Sequence, residues 1–282
     1  MRKGLWNVYK PKGVSSFEVV RDIKWMTGEK KVGHAGTLDP LAEGVLIVGV
    51  GREATKQLRF VLEEDKEYIG EIKLGMVSTT DDEEGRKSKV KSQKSKVCKV
   101  HKVDPTSLKL RGMRSQKSKL ASKTTRPSRG EIEKVIQENF IGDIVQITPT
   151  YSAVKIGGER AYKKARRGEK FTRPPRIVTI KEIEILDYFI PTAVNKAGLI
   201  GPHFAEVTRD KFCDSGTISP AFSERANKND YPILKIRAVV GSGTYIRSLA
   251  REIGEKLGTG GYLTSLVRMR IGNYKMEDSV RL

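Results

Sequence analysis

A chain of 282 residues, 37% of them hydrophobic, can bury one large core or two small ones, and it holds no apolar run long enough to span a membrane. Two cysteines exclude a disulfide framework, three histidines without an HExxH arrangement argue against a metallohydrolase, and the N-terminus enters strand-like sequence without a secretory apolar core, so the reducing cytoplasm is the expected compartment. The formal net charge is +20, and 16 of the 54 Lys and Arg residues fall between Arg86 and Arg129 against a single acid, Asp104.

In chain order, Ser15-Ser16-Phe17-Glu18 is a capping box that opens a helix whose Val19, Ile23 and Met26 share one face, with Gly28 as its stop. A turn-rich stretch follows, Gly33-His34-Ala35-Gly36-Thr37-Leu38-Asp39-Pro40-Leu41-Ala42-Glu43-Gly44, in which one carboxylate sits between glycines and a proline. A lone Asp-Pro is an ordinary turn initiator, so the specific signal is the whole dodecamer. The run Val45-Leu46-Ile47-Val48 continues to Val50 as a buried strand, then a helix is expected over 53–63 and a strand over 68–74. Ser128-Arg129-Gly130-Glu131 is a second capping box, for a helix over 132–140. Strand-like alternation returns over 177–186 and 233–240, a helix over 246–257 ends at Gly258, and the last strand spans 266–271. Strands and helices mixed without strict βαβ repetition predict an α+β fold. Gly49-Val50-Gly51 lacks the third glycine of a dinucleotide fingerprint and no GxxxxGK[ST] occurs, so nucleotide-binding readings fail on spacing.

The dodecamer around Asp39 resembles the catalytic-aspartate motif of the TruB family of RNA pseudouridine synthases. Further blocks recur in that family's order: Tyr9 to Ser16, Asp65-Lys66-Glu67-Tyr68, Pro149 to Lys155, Gly243-Thr244-Tyr245-Ile246-Arg247 and Leu266-Val267-Arg268-Met269-Arg270. The resemblance covers about residues 4–85, 130–187 and 231–280. It implies the pseudouridine-synthase fold, a curved, mostly antiparallel mixed sheet with flanking helices and a basic thumb, as a single catalytic domain over 1–282. It also implies an isomerase that converts uridine 55 in the T-loop of tRNA to pseudouridine. That reaction breaks the C1′–N1 bond, turns the base and joins C1′ to C5, with no metal or cofactor needed. Asp39 is then the nucleophile, attacking either C1′ or C6; the sequence does not choose between them. By the same resemblance Tyr68 lies against the flipped-out base, Tyr245 contacts it, Arg247 pairs with Asp39 and holds it ionised, and His34 fills the space the base leaves. Leu266 closes the uracil pocket and Lys10 supports the sheet edge.

From Lys155 to Arg176 there are nine Lys and Arg against Glu159 and Glu169, and 161–168 has the form of a short helix stopped by glycine. The resemblance makes 150–176 an RNA-binding thumb, with Lys155, Lys163, Lys164, Arg166 and Arg167 as backbone contacts. Segment 86–129 repeats Ser-Gln-Lys-Ser-Lys at 92–96 and 115–119 and shows no apolar period, which predicts a disordered insertion. Two readings of it stay open, a tolerated solvated loop and a non-specific RNA tether acting through counterion release. Segment 190–230 reads as an irregular insertion between two adjacent strands. Cys98 and His101 with His203 and Cys213 supply four soft ligands, but no tight second pair fixes a geometry, so no metal site is expected. With the sequence ending at Leu282, the resemblance leads to the expectation of a catalytic domain without the C-terminal PUA domain that relatives often carry. The expectation is therefore a monomer that acts on the tRNA T-stem-loop without a guide RNA and without a membrane. The alternative is a non-catalytic tRNA-binding or folding-assisting protein on the same scaffold. Retention of Asp39, Tyr68, Tyr245 and Arg247 favours the enzyme, because an acid in an anionic ligand's site costs a pure binder affinity.

Overall fold

Both capping boxes form: Glu18 N donates to Ser15 Oγ at 3.2 Å while Ser15 N donates to Glu18 Oε2 at 2.7 Å, and Ser128 and Glu131 repeat the exchange. They start α1 (Ser16–Thr27) and α3 (Arg129–Asn139), the latter three residues earlier than its apolar spacing suggests. The computed structural model describes residues 3–89, 126–152, 154–190 and 231–282. The four soft-ligand candidates Cys98, His101, His203 and Cys213, and most of both insertions, lie outside the described residues.

Strand β3 (Ala42–Val50) is apolar at every position from 45 to 48 because both of its faces are covered. Leu46, Val48 and Val50 meet Val19, Val20 and Ile23 of α1 together with Val8 of β1 (Gly4–Lys10). The alternate residues Val45 and Ile47 meet Leu58 and Val61 of α2 (Arg52–Glu63). Burying each of these side chains contributes roughly 1.5–3 kcal/mol. Met26, placed on the buried face of α1 by spacing, is instead 39% exposed in the last turn, and Val20 takes the core position.

The main sheet has nine strands among the described residues, ordered β1, β3, β12 (Gly261–Ile271), β4 (Lys66–Leu74), β11 (Ile233–Val240), β10 (Pro175–Phe189) and β7 (Gly142–Ile147), with β2 (Val32–Ala35) on β3 and β13 (Tyr274–Lys275) on β12. Every pairing is antiparallel except β12 with β3, where Leu266, Val267 and Arg268 run parallel to Ala42, Glu43 and Gly44. The α+β class and the mostly antiparallel mixed sheet thus agree with the sequence. Helices α3 and α5 (Ile246–Lys256) cover the other half of the sheet, where Ile132, Ile136, Phe140, Leu249 and Ile253 pack with Ile72, Ile144, Ile180 and Leu234. No helix of the described residues is long and apolar enough to cross a membrane.

Two expectations about loops change. Residues 33–35, read as the start of the Asp39 loop, belong to the strand β2 on β3, which leaves a shorter connection. The basic insertion is narrower than its charge suggests, because Lys87–Lys89 forms the strand β6 against β5 (Met76–Ser78) and Arg129 already belongs to α3. Backbone pairing with a neighbouring strand overrides local composition at that edge. The strands β10 and β11 that flank segment 191–230 are adjacent and antiparallel, as expected for an enlarged connection.

Candidate active site

The backbone on both sides of Asp39 is pinned from three directions. Ser16, the first residue of α1, accepts from Leu38 N and donates to Leu38 O, both at 2.9 Å. Gly13 N donates to Pro40 O at 2.7 Å and Ala42 N to Asp39 O at 3.0 Å, closing a turn. The Gly13 loop is itself held by Lys10, whose fully buried ammonium donates to Pro11 O at 2.9 Å and Val14 O at 2.5 Å. Burial pulls Lys10 down to about 8, with Asp39 and Glu43 acting in the opposite sense.

A second staple comes from the far end of the chain. Arg268 on β12 is 1% exposed and donates to Val45 O at 2.7 Å and Gly36 O at 3.0 Å, so one guanidinium bridges the entry and the exit of the Asp39 loop. The chains approach so closely here that a Cβ on Gly44, at φ 106°, would lie 2.3 Å from Arg268 O. Only glycine fits.

Arg247, on the first turn of α5, gathers the site. Its Nε meets Asp39 Oδ2 at 2.9 Å, Nη1 meets Asp82 Oδ2 at 3.1 Å and donates to Thr80 O at 3.3 Å, and Nη2 donates to Tyr151 O at 3.0 Å. The Arg247–Asp39 pair expected from the sequence is therefore present. Asp82, buried and accepting also from Thr80 Oγ1 at 2.5 Å and Glu84 N at 3.1 Å, is a second anion on the same guanidinium that sequence reasoning missed. Burial pushes the Asp39 carboxyl above its ordinary 3.8, Arg247 and Lys10 oppose this, and Asp82 reinforces it. Arg247 thus offsets desolvation without overcoming it. The Asp39 side chain keeps 43% of its exposure. A carboxylate both desolvated and accessible is one that protein surrounds on all sides but the one open to a ligand.

Tyr245 is the N-cap residue of α5, and the Gln146 side chain fixes its backbone by accepting from Tyr245 N at 2.8 Å and donating to Tyr245 O at 3.1 Å. Burial raises the Tyr245 phenol, keeping it protonated at neutral pH. Tyr68 on β4 is 8% exposed and belongs to the same buried cluster as Leu38, Ala42 and Leu266. Leu266 lies opposite Gly70 of β4 and Ala42 of β3, beside the strand that leaves the Asp39 loop. His34 stands on β2 with Nδ1 buried and unpartnered, and burial with the charge of Arg268 lowers its pKa below 6.5, so the ring is neutral at pH 7.

The thumb is a small separate unit. Strands β8 (Lys155–Ile156) and β9 (Glu159–Arg160) turn at Gly157-Gly158, both with positive φ, and lead into α4 (Ala161–Arg166). Ala161 N donates to Val154 O and Tyr162 N to Ser152 O, tying the thumb to the segment whose Tyr151 carbonyl holds Arg247. Its five candidate cations divide. Lys155 and Lys163 are exposed and make no ion pair among the described residues. Lys164 stands 3.9 Å from Glu169, and Arg166 lies over the Tyr162 ring. Arg167 is held within the thumb, forked onto Glu159 at 2.7 and 2.5 Å and bonded to Glu169 at 2.6 Å. The two acids of the segment converge on this one arginine and neutralise it.

Residues 24–125 and 113–198, two overlapping stretches, match the model of the TruB family pseudouridylate synthase N-terminal domain. The chain is 37% identical over 98% of its length to a tRNA pseudouridine synthase B of Bifidobacterium longum, of which it spans 64%. It is also 37% identical over 98% of its length to a tRNA pseudouridine synthase B of Streptomyces coelicolor, of which it spans 70%. A solved crystal structure of a Cbf5-Nop10-Gar1 complex contains a similar chain, with a TM-score of 0.55 and 25% identity over 99% of this chain and 52% of that one. The chain belongs to the TruB family of pseudouridylate synthases.

Proposed function

We propose that this chain isomerises uridine to pseudouridine in tRNA, at position 55 of the T-loop, with Asp39 as the nucleophile. The observation that carries the reading is the clamped, desolvated Asp39 carboxylate held 2.9 Å from Arg247 in a loop fixed on both sides. The curated relatives at 37% identity carry the name of this activity and support the choice of tRNA.

The chemistry needs one group at the reacting atoms. The C1′–N1 bond breaks, the uracil turns, C1′ joins C5, and the proton lost from C5 is balanced by one gained at N1. Asp39 acts as the attacking carboxylate at C1′ or at C6, and Arg247 orients it through Nε. A target uridine stacked in a folded loop must first leave its stack, at a cost of a few kcal/mol. Tyr68 offsets that cost by stacking on the base, worth roughly 1–3 kcal/mol. Leu266 and Tyr245 bound the uracil, neutral His34 fills the space left in the T-loop, and Lys10 acts at one remove by fixing the loop that bonds Pro40. Lys155 and Lys163 contact the RNA backbone from the thumb, joined by Lys164 and Arg166. The chain is read as a cytoplasmic monomer that acts without a guide RNA; the last point is supported by its higher identity to the tRNA enzymes than to the chain from the partner-protein complex.

Incubating the protein with an unmodified T-stem-loop transcript and mapping pseudouridine chemically tests the reading. One modified position is expected, and Asp39→Asn should abolish turnover while keeping RNA affinity within about tenfold, about 1.4 kcal/mol. Turnover by Asp39→Asn at the parental rate would overturn the nucleophile assignment.

A further inference from the structure

The Arg247 site has a twin one helical turn away. Arg251, four residues on along α5, bonds Asp81, the immediate neighbour of Asp82, through Nη1. Two arginines on one helix face therefore meet two successive aspartates on one turn, Arg247 with Asp82 and Arg251 with Asp81. Both acids are buried, and the turn that presents them is also held by contacts that involve neither arginine. Leu263 N donates to Asp81 O at 3.1 Å, Asp82 bridges to Leu263, and Asp81 takes φ 65°, the one positive φ of a non-glycine among the described residues.

This placement creates a hazard. The Asp81 carboxylate faces three cations, Arg251, Arg173 and Arg247, so Arg247 already lies within its field. A guanidinium that turned from Asp39 to Asp81 would find a buried carboxylate ready to accept it. Arg251 removes that option by occupying Asp81. It is itself over-determined: it donates to Ile147 O at 3.1 Å, meets Glu252 Oε1 at 2.9 Å and stands 3.6 Å from Glu255.

We propose that Arg251 is a positioning residue which, by holding the Asp81 carboxylate, keeps Arg247 committed to Asp39 and Asp82. It touches no reacting atom. Its effect on turnover passes through Arg247, and it rests on the reading of Asp39 as the nucleophile given above. The groups that face Asp39 are Arg247, Asp82 and Lys10, so any loss of the Arg247 pair leaves desolvation and Asp82 less opposed. The Asp39 pKa then rises further, and the acid limb of the rate profile moves to higher pH because the reaction uses the carboxylate.

The test is a double-mutant cycle read at saturating T-stem-loop RNA. Arg251→Gln should lower the saturating rate by about tenfold or more, change KM by less than about threefold and move the acid limb upward. Adding Asp81→Asn removes the competing carboxylate and should recover the rate at least about fivefold and return the acid limb toward its parental position. If Arg251→Gln does not fold, as judged by thermal melting, the cycle is run with Arg251→Lys and the same direction of recovery by Asp81→Asn is required. A double variant no faster than the single one, or a single variant with parental rate and pH profile, overturns the proposal. Asp39→Asn in the same assay separates the two claims. Its failure to stop turnover defeats the nucleophile reading, whereas an inactive Asp39→Asn beside an unaffected Arg251→Gln defeats only the positioning role.

Discussion

The Asp39 loop and the thumb are held in opposite ways. The loop is held by residues from four elements remote in sequence, Ser16 from α1, Gly13 and Lys10 from the β1 end, Arg268 from β12 and Arg247 from α5. The thumb is held mostly by itself, through a two-residue hairpin turn, the Arg167 fork and two backbone bonds to residues 152 and 154. A group that must meet a reacting carbon needs geometry fixed before the substrate arrives. A surface that follows a phosphate backbone needs charge with latitude in position. The contrast shows where ordering entropy is spent in this fold, at the acid and not at the grip.

Variants that separate the two regions sharpen that comparison. The largest effect is expected from Arg268→Gln, which cannot bridge Gly36 O and Val45 O together. The rate at saturating RNA should fall at least about tenfold, with RNA affinity changed by less than about threefold, since the staple acts on the reacting group and not on the grip. Equal losses in rate and affinity, measured by single-turnover kinetics and filter binding, would show that the loop also docks the RNA.

The thumb predicts the reverse pattern. Lys155→Ala with Lys163→Ala should weaken binding several-fold and reduce the slope of log affinity against log salt by about 1.5, at roughly 0.7–0.9 per phosphate contact, with the saturating rate unchanged. Arg167→Ala, whose charge is already neutralised by Glu159 and Glu169, should leave the salt slope within about 0.3 of the parental value. A slope that falls as far for Arg167→Ala as for a lysine would place Arg167 on the RNA after all.

A smaller effect concerns stability alone. Burial raises Glu252 to about 7 against an ordinary 4.5, so the folded state prefers its protonated form. That contribution is fully present below about 4.5 and is lost as pH climbs through about 7. Glu252→Gln stays neutral throughout. Its Tm relative to the parent should therefore rise between about pH 5 and pH 8, by a few degrees for about 1–2 kcal/mol. A Tm difference that is flat with pH would show that Glu252 is ionised in the fold throughout.

The legible parts of this molecule were those written locally or in a motif. The capping boxes at Ser15 and Ser128, the apolar run of β3 and the stop at Gly28 are set by neighbours within a few residues, and they appear where the pattern puts them. Asp39 and its partner Arg247 were found because a dodecamer and a pentapeptide carry them. Asp82, Gln146 and Arg268 were not, although each is buried and bonded at the site. Their long-range partners lie 99 to 232 residues away in sequence, and such pairings leave no period or spacing behind. The signal that was available for Arg268 was its position in a strand whose neighbours are core residues, a place where an unpaired arginine is costly. Lys87–Lys89 shows the converse, composition that reads as disorder yet pairs as a strand.

The place of β12 has a consequence for how the protein is made. It lies between β3 and β4 in the sheet yet follows both by about two hundred residues in the chain, so the two early strands must wait with a slot between them. Long-range pairing of this kind is slow and leaves strand edges open in the interim. Arg268 sits on that late strand and closes both ends of the Asp39 loop, so a nascent chain on the ribosome carries the aspartate without its geometry. On the function proposed above, the geometry at Asp39 is completed only when the last long strand of the sheet docks.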